Sequence, residues 1–202
     1  MPEKLNLKEL SKEALEAFIL ELGWRRFRSD QLFAWIYRMR AESFDQMTNL
    51  SREERSLLDR RTRLSRLQTL TVQRSEDGTE KYLFGLEDGN RIESVLIPDA
   101  KGTGERSRLT LCLSTQAGCT LDCRFCLTGR EKLKRNLEPH EIVDQVLTVQ
   151  RANGDRRRLT NLVMMGMGEP LANLKNLMEA LRRLTSPEGV GFSPRRITVS
   201  TA

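Results

Sequence analysis

All four cysteines of the chain, Cys112, Cys119, Cys123 and Cys126, fall between positions 112 and 126, and the last three are spaced C-x3-C-x2-C. Three thiolates at that spacing suit an iron–sulfur cube with one iron left open, whereas a fully ligated cube takes four cysteines and mainly carries electrons. An open iron can chelate a substrate or cofactor, and Phe125, just before the last thiol, would shield the cube from water. Zinc is a second reading, because four sulfurs fill its tetrahedral shell, although structural zinc sites usually draw on two separated pairs. Disulfides would require an oxidising compartment. Inert thiols are the bland alternative.

Two further stretches carry chemistry. Met164-Met165-Gly166-Met167-Gly168-Glu169-Pro170-Leu171 follows an apolar run. Its glycines let the backbone approach a ligand closely, and Glu169 can accept from an ammonium group. The same residues also make an ordinary tight strand-to-helix turn. Glu93 alternates with Val95 and Ile97, so a carboxylate sits on an otherwise apolar strand face, where desolvation would make it a base near neutral pH. An edge-strand glutamate in water is the competing reading. His140 is the only histidine, is expected to be exposed and is given no role.

These residues need elements to hold them. Ser11 reads as the N-cap of a helix ending before Gly23, with Leu15, Phe18, Ile19 and Leu22 on one face. A second helix is expected from Asp30 to Met39, and Ser51 with Glu54 forms a capping box for a third. From Leu67 the period changes to two: 67–74, 81–86 and 91–97 read as strands separated by Asp77-Gly78 and Asp88-Gly89 turns. Beyond a polar linker over 99–108, strand-like runs at 109–114, 159–165 and 195–200 alternate with helical patterns, one of them at 139–151. That is the mark of a parallel βα architecture, whose chemistry lies at the carboxyl ends of its strands. The expected fold is therefore α/β. Residues 1–65 form a small helical domain, 66–98 a β-meander, and 109–202 part of a βα barrel.

The 202 residues carry 34 Lys+Arg against 28 Asp+Glu, a formal charge of +6. That excess suits a polyanion such as RNA, although a highly charged chain is also simply well solvated. Arg25, Arg26, Arg28, Arg38 and Arg40 could present positive charge from the helical domain. Arg130, Lys132, Lys134 and Arg135 crowd the loop after the cysteines, and Arg156–Arg158 make a second basic run. No apolar run approaches a membrane span and no signal-peptide core is visible, so a cytoplasmic protein without membrane contact is expected.

The cysteine motif is the signature of radical S-adenosylmethionine enzymes. Its surroundings resemble one branch more closely: Leu111-Cys112-Leu113-Ser114-Thr115-Gln116-Ala117-Gly118-Cys119, then Arg135-Asn136-Leu137, then Met164 to Leu171. Together they resemble the RlmN-type dual-specificity RNA methyltransferases, which methylate carbon 2 of an adenine in large-subunit ribosomal RNA and in some tRNAs. The resemblance implies a partial radical-SAM barrel preceded by an RNA-binding accessory domain. It implies a [4Fe-4S] cluster on Cys119, Cys123 and Cys126, and S-adenosyl-L-methionine (SAM) gripped by Gly168, Glu169 and Ser200. Partners would be ribosomal RNA, tRNA and an electron donor such as flavodoxin or ferredoxin, and the protein would be a monomer. In the implied mechanism one SAM methylates a protein cysteine, and a radical from a second activates that methyl group to add to adenine. Glu93 then removes the ring proton and Cys112 resolves the protein–RNA link. The family's methyl-carrying cysteine comes late in its sequence, and here no cysteine follows Cys126. The expectation is an incomplete chain, inactive alone. Methylation of carbon 8 by a related enzyme and a zinc-bearing RNA-binding module are the alternatives.

Overall fold

A computed structural model describes residues 4–99, 108–154 and 157–202. The linker expected over 99–108 lies outside the described residues except at its two ends. The chain forms two compact units, one of Met1–Arg66 with Arg182–Gly191, the other of Leu67–Leu181 with Phe192–Ala202.

In the first unit, β1 (Leu5–Asn6) is followed by α1 (Lys12–Glu21), α2 (Phe27–Phe33) and α3 (Arg52–Arg61), and β2 (Thr62–Arg63) returns parallel to β1. Ser11 caps α1 by accepting the Ala14 amide. Ser51 and Glu54 close a reciprocal capping box on α3, satisfying amides that the first helical turn leaves without partners. The second helix differs from expectation. It starts at Phe27 and passes into a π-helical turn over Ala34–Arg38, and Leu32, Phe33, Ile36 and Tyr37 are all buried. Arg183, only 2% exposed, donates to the carbonyls of Lys8 and Leu10 and to the Tyr37 hydroxyl. Its guanidinium also lies 5.8 Å from the Tyr37 ring centre. Acceptors on several sides offset the cost of burying that charge.

The second unit is built on one six-stranded sheet. β3 (Gln68–Arg74), β4 (Glu80–Gly85) and β5 (Arg91–Pro98) form the expected antiparallel meander. β6 (Leu109–Cys112) joins β5 antiparallel. A short ribbon of β7 (Gln116–Ala117) and β8 (Arg135–Asn136) brackets the cysteine loop. Then come α4 (Pro139–Asn153), β9 (Asn161–Met164), α5 (Leu174–Thr185) and β10 (Ile197–Val199). β9 lies parallel to both β6 and β10, so the order is β10-β9-β6-β5-β4-β3. The sheet is open, with β3 and β10 at its edges.

Alternation sorts its faces. Tyr82, Phe84, Ile92, Leu96, Leu111, Leu162 and Met164 are buried on one, and α4 contributes Ile142, Val143, Val146, Leu147 and Val149 to the core. Cys112 pairs with Val95 and Val163, placing Glu93, Val95, Ile97 and Cys112 together on the other, half-exposed face. No helix among the described residues is long and apolar enough to cross a membrane.

Candidate active site at the carboxyl edge of the parallel strands

Because β6, β9 and β10 run parallel, the residues following each leave from the same edge of the sheet. These are the loop from Leu113, the turn Met165–Glu169 and the terminal Ser200–Ala202. In open α/β sheets ligands bind at such edges.

Buried amides hold the loops there. Gln145 on α4 accepts the Ser114 amide at 2.9 Å and the Ser94 hydroxyl at 2.7 Å, and donates to the Ser114 carbonyl at 2.9 Å. Ser114 passes the constraint on: its hydroxyl donates to the Glu93 carbonyl and accepts the Met167 amide. Asn173 donates to the carbonyls of Thr115 and Leu137, both at 2.8 Å. Two glycines make the approach possible. A Cβ on Gly166 would stand 2.7 Å from the Leu113 carbonyl carbon, and one on Gly168, at φ +96°, 2.5 Å from the Gln116 Cβ. Sequence reasoning missed Gln116, Gln145 and Asn173. Gln145 could have been found, since it is an amide at helical spacing between Ile142 and Val149, two residues that read as facing inward.

Glu169 is buried at this edge. Its carboxylate accepts the Leu171 amide at 2.9 Å and the Ala202 amide at 3.2 Å. Burial pushes its pKa up, but the Leu171 amide, the Thr201 hydroxyl and the Ala202 amide outweigh that, so it lies below the usual value. Glu169 thus stays an anion and ties the segment after β10 to the turn after β9. Ser200 follows β10 and is exposed.

The cysteines depart from expectation. Among the described residues, no group of three or more His, Cys, Asp or Glu side chains is arranged to hold a metal ion. The [4Fe-4S] cluster expected on Cys119, Cys123 and Cys126 is therefore not supported, and neither is the zinc alternative. Individual thiols find local partners instead. Cys119 Sγ accepts the Leu121 amide at 3.3 Å. The Gly129 and Thr128 amides hold the Cys126 thiol below its usual pKa. The residues as arranged do not fit the cluster, and no chemical step is derived through it. All four cysteines are free thiols, and Phe125, expected to shield a cube, is 94% exposed.

On the half-exposed face, burial pushes the Cys112 thiol up, partly offset by the Met165 amide. Glu93 is not desolvated as its apolar neighbours suggested: its side chain is 42% exposed and pairs with Lys81 at 3.2 Å. His140 is buried, not exposed.

The basic residues divide. Arg130, Lys132 and Lys134 are exposed. Arg135 is committed to Asp88 and, through two bonds of 2.6 and 2.8 Å, to Glu141 at the start of α4. In the second run Arg157 and Arg158 are exposed, while Arg156 lies outside the described residues. In the first unit Arg26 pairs with Glu16 and Arg28 with Glu54, whereas Arg25 and Arg38 are exposed.

Residues 5–64 match the ribosomal RNA large subunit methyltransferase N-terminal domain, and residues 113–202 match the radical SAM superfamily. The dual-specificity RNA methyltransferase RlmN of Geotalea uraniireducens is 50% identical over 200 residues, covering 99% of this chain and 55% of that protein. The RlmN of Pelobacter propionicus is 48% identical over 201 residues, again covering 55% of the relative. Among solved structures, a radical SAM methyltransferase from Sphaerobacter thermophilus superposes with a TM-score of 0.85 at 41% identity, over 98% of this chain and 57% of that one. The open sheet matches part of a radical-SAM βα barrel in that structure. By sequence and fold the chain is similar to the RlmN-type radical SAM RNA methyltransferases, and it spans about half the length of the curated relatives it matches.

Proposed function

We propose that the chain provides the methyl-donor side of an RNA methyltransferase acting in the cytoplasm on carbon 2 of an adenine in large-subunit ribosomal RNA and in tRNA. The observation that carries this reading is the convergence of the Gly168–Glu169 turn and the Ser200 segment at one carboxyl edge. S-adenosyl-L-methionine, when bound, supplies the methyl group from its sulfonium. Gly168 lets the turn close against Gln116, and the ionised Glu169 complements the donor's ammonium group. Ser200 offers a hydroxyl from the neighbouring strand end. On the half-exposed face of the sheet, Glu93 is the proton acceptor for the ring hydrogen once Lys81 is displaced, and Cys112 is the thiol that resolves a protein–RNA thioether. Its sulfur joins the link's sulfur in a disulfide as the carbon–sulfur bond breaks, and the released carbon takes the proton to become the methyl group. Arg25 and Arg38 in one unit, and Arg130, Lys132 and Lys134 in the other, contact RNA phosphates.

Calorimetric titration of S-adenosyl-L-methionine into the chain tests the donor site. Binding is expected, and Glu169→Gln should weaken it by about ten- to a hundredfold, as for loss of a charged hydrogen bond. Equal affinity in the variant would remove Glu169 from the site. Nucleoside mass spectrometry of RNA modified by the whole protein separates the ring positions: 8-methyladenosine in place of 2-methyladenosine would move the chemistry to carbon 8.

A further inference from the structure

The loop carrying Cys119 and the turn carrying Glu169 meet at one side chain that the proposed reaction does not use. Gln116 is fully buried. Its Oε1 accepts the Glu169 amide at 2.9 Å and the Thr120 amide at 3.3 Å, and its Nε2 donates to Asn136 Oδ1 at 2.7 Å. Its own backbone amide reaches the Met167 carbonyl at 3.2 Å. The room for this side chain exists because position 168 is glycine, where a Cβ would stand 2.6 Å from the Gln116 Cγ. One carbonyl oxygen thus serves amides on two separate segments. Since Gln116 is shut away from solvent, water cannot replace either bond if it is lost.

We propose that Gln116 is a positioning residue for methyl-donor binding. Its carboxamide locks the Gly168–Glu169 turn to the loop that begins at Cys119, so a donor seated on the turn also orders the loop. The proposal rests on the reading that Glu169 faces the donor. Hydrogen bonding supplies the coupling: tightening the Glu169 amide fixes Oε1, and fixed Oε1 in turn holds Thr120. Asn136, at the base of the cysteine loop, prevents the carboxamide from rotating away.

The test titrates S-adenosyl-L-methionine into the wild-type chain, Gln116→Leu and Gln116→Glu, and follows amide exchange at Glu169 and Thr120 with and without the donor. Gln116→Leu has no acceptor and should raise Kd roughly tenfold, the scale of one unsatisfied buried donor. Gln116→Glu keeps an acceptor oxygen at the same place but loses the donor to Asn136 Oδ1, so it should restore only part of the affinity. In the wild type the donor should slow exchange at both amides; in Gln116→Leu it should slow exchange at Glu169 alone. A merely structural role would not produce that split. Should Gln116→Leu fail to fold, Gln116→Asn, one methylene shorter, tests the same loss of coupling. Unchanged donor affinity in the folded variant, or donor-induced protection of Thr120 that persists in it, overturns the proposal while leaving the donor site intact. A wild-type chain that takes up no donor, or a Glu169→Gln variant that binds as tightly, overturns the donor site itself and the proposal with it.

Discussion

At the scale of single residues, this molecule depends on polar side chains placed where apolar ones would pack. Gln145 sits among Ile142, Val146 and Val149 and satisfies both polar groups of the Ser114 backbone. Replacing it with leucine preserves volume but leaves the Ser114 amide and the Ser94 hydroxyl without partners. Gln145→Leu should lower unfolding stability by about 2–3 kcal/mol in urea titration. Arg135 offers a pH test. It holds the Asp88 carboxyl down to about 2, against an ordinary value of 3.8. A depressed carboxylate stabilises the folded state above its unfolded pKa and loses that contribution as pH falls through the folded one. Urea midpoints should therefore drop between about pH 4 and pH 2, and Arg135→Met should flatten that part of the profile. Because the Asp88 side chain is 38% exposed, solvent screens the pair, and added salt should shrink the difference.

At the scale of elements, the turn after β9 is decided by the absence of a side chain. Gly168 and Gly89 share positive φ, at +96° and +83°, yet a Cβ at Gly89 meets nothing within 4 Å while one at Gly168 meets Gln116. Gly89→Ala should cost only the left-handed backbone penalty, about 1–2 kcal/mol. Gly168→Ala should cost that penalty plus about 1–3 kcal/mol of overpacking, and should also weaken donor binding. Parallel thermal melts and donor titrations of the two variants check the contrast. Both turns were legible as glycine-bearing connections. Their different consequences were not, because the neighbour of Gly168 comes from a segment more than fifty positions away in sequence. The passage of α2 into a π-helical turn was hidden for a similar reason: local propensity does not record how Ile36 and Tyr37 must be turned to reach the core.

At the scale of the whole molecule, the +6 charge matters through where its cations are free. Arg135 is spent on internal carboxylates and Arg28 on Glu54, whereas Arg25 and Arg38 are exposed. If they meet phosphates, RNA affinity should fall linearly on a log–log plot against salt. The double variant Arg25→Ala/Arg38→Ala should reduce that slope by about 1.4, or about 0.7 per contact for single-stranded RNA. Filter binding over a salt series measures it. An unchanged slope would assign both arginines to solvent.

The sequence by itself determined the three meander strands and their hairpin turns, the longer strands and helices after them, the Ser51–Glu54 capping box and the motifs that resemble the RlmN type, because each is written in residues close together along the chain. It did not record the two-residue strands or the second capping box at Glu138 and Glu141. Only the tertiary structure decided which side chains are desolvated and which are committed. It buried His140, left Glu93 half-exposed beside Lys81 and spent Arg135 on Asp88 and Glu141. It also gave the cysteines separate local partners in place of a common centre. Burial and pairing are properties of neighbours brought together by folding, and spacing along one chain does not record them.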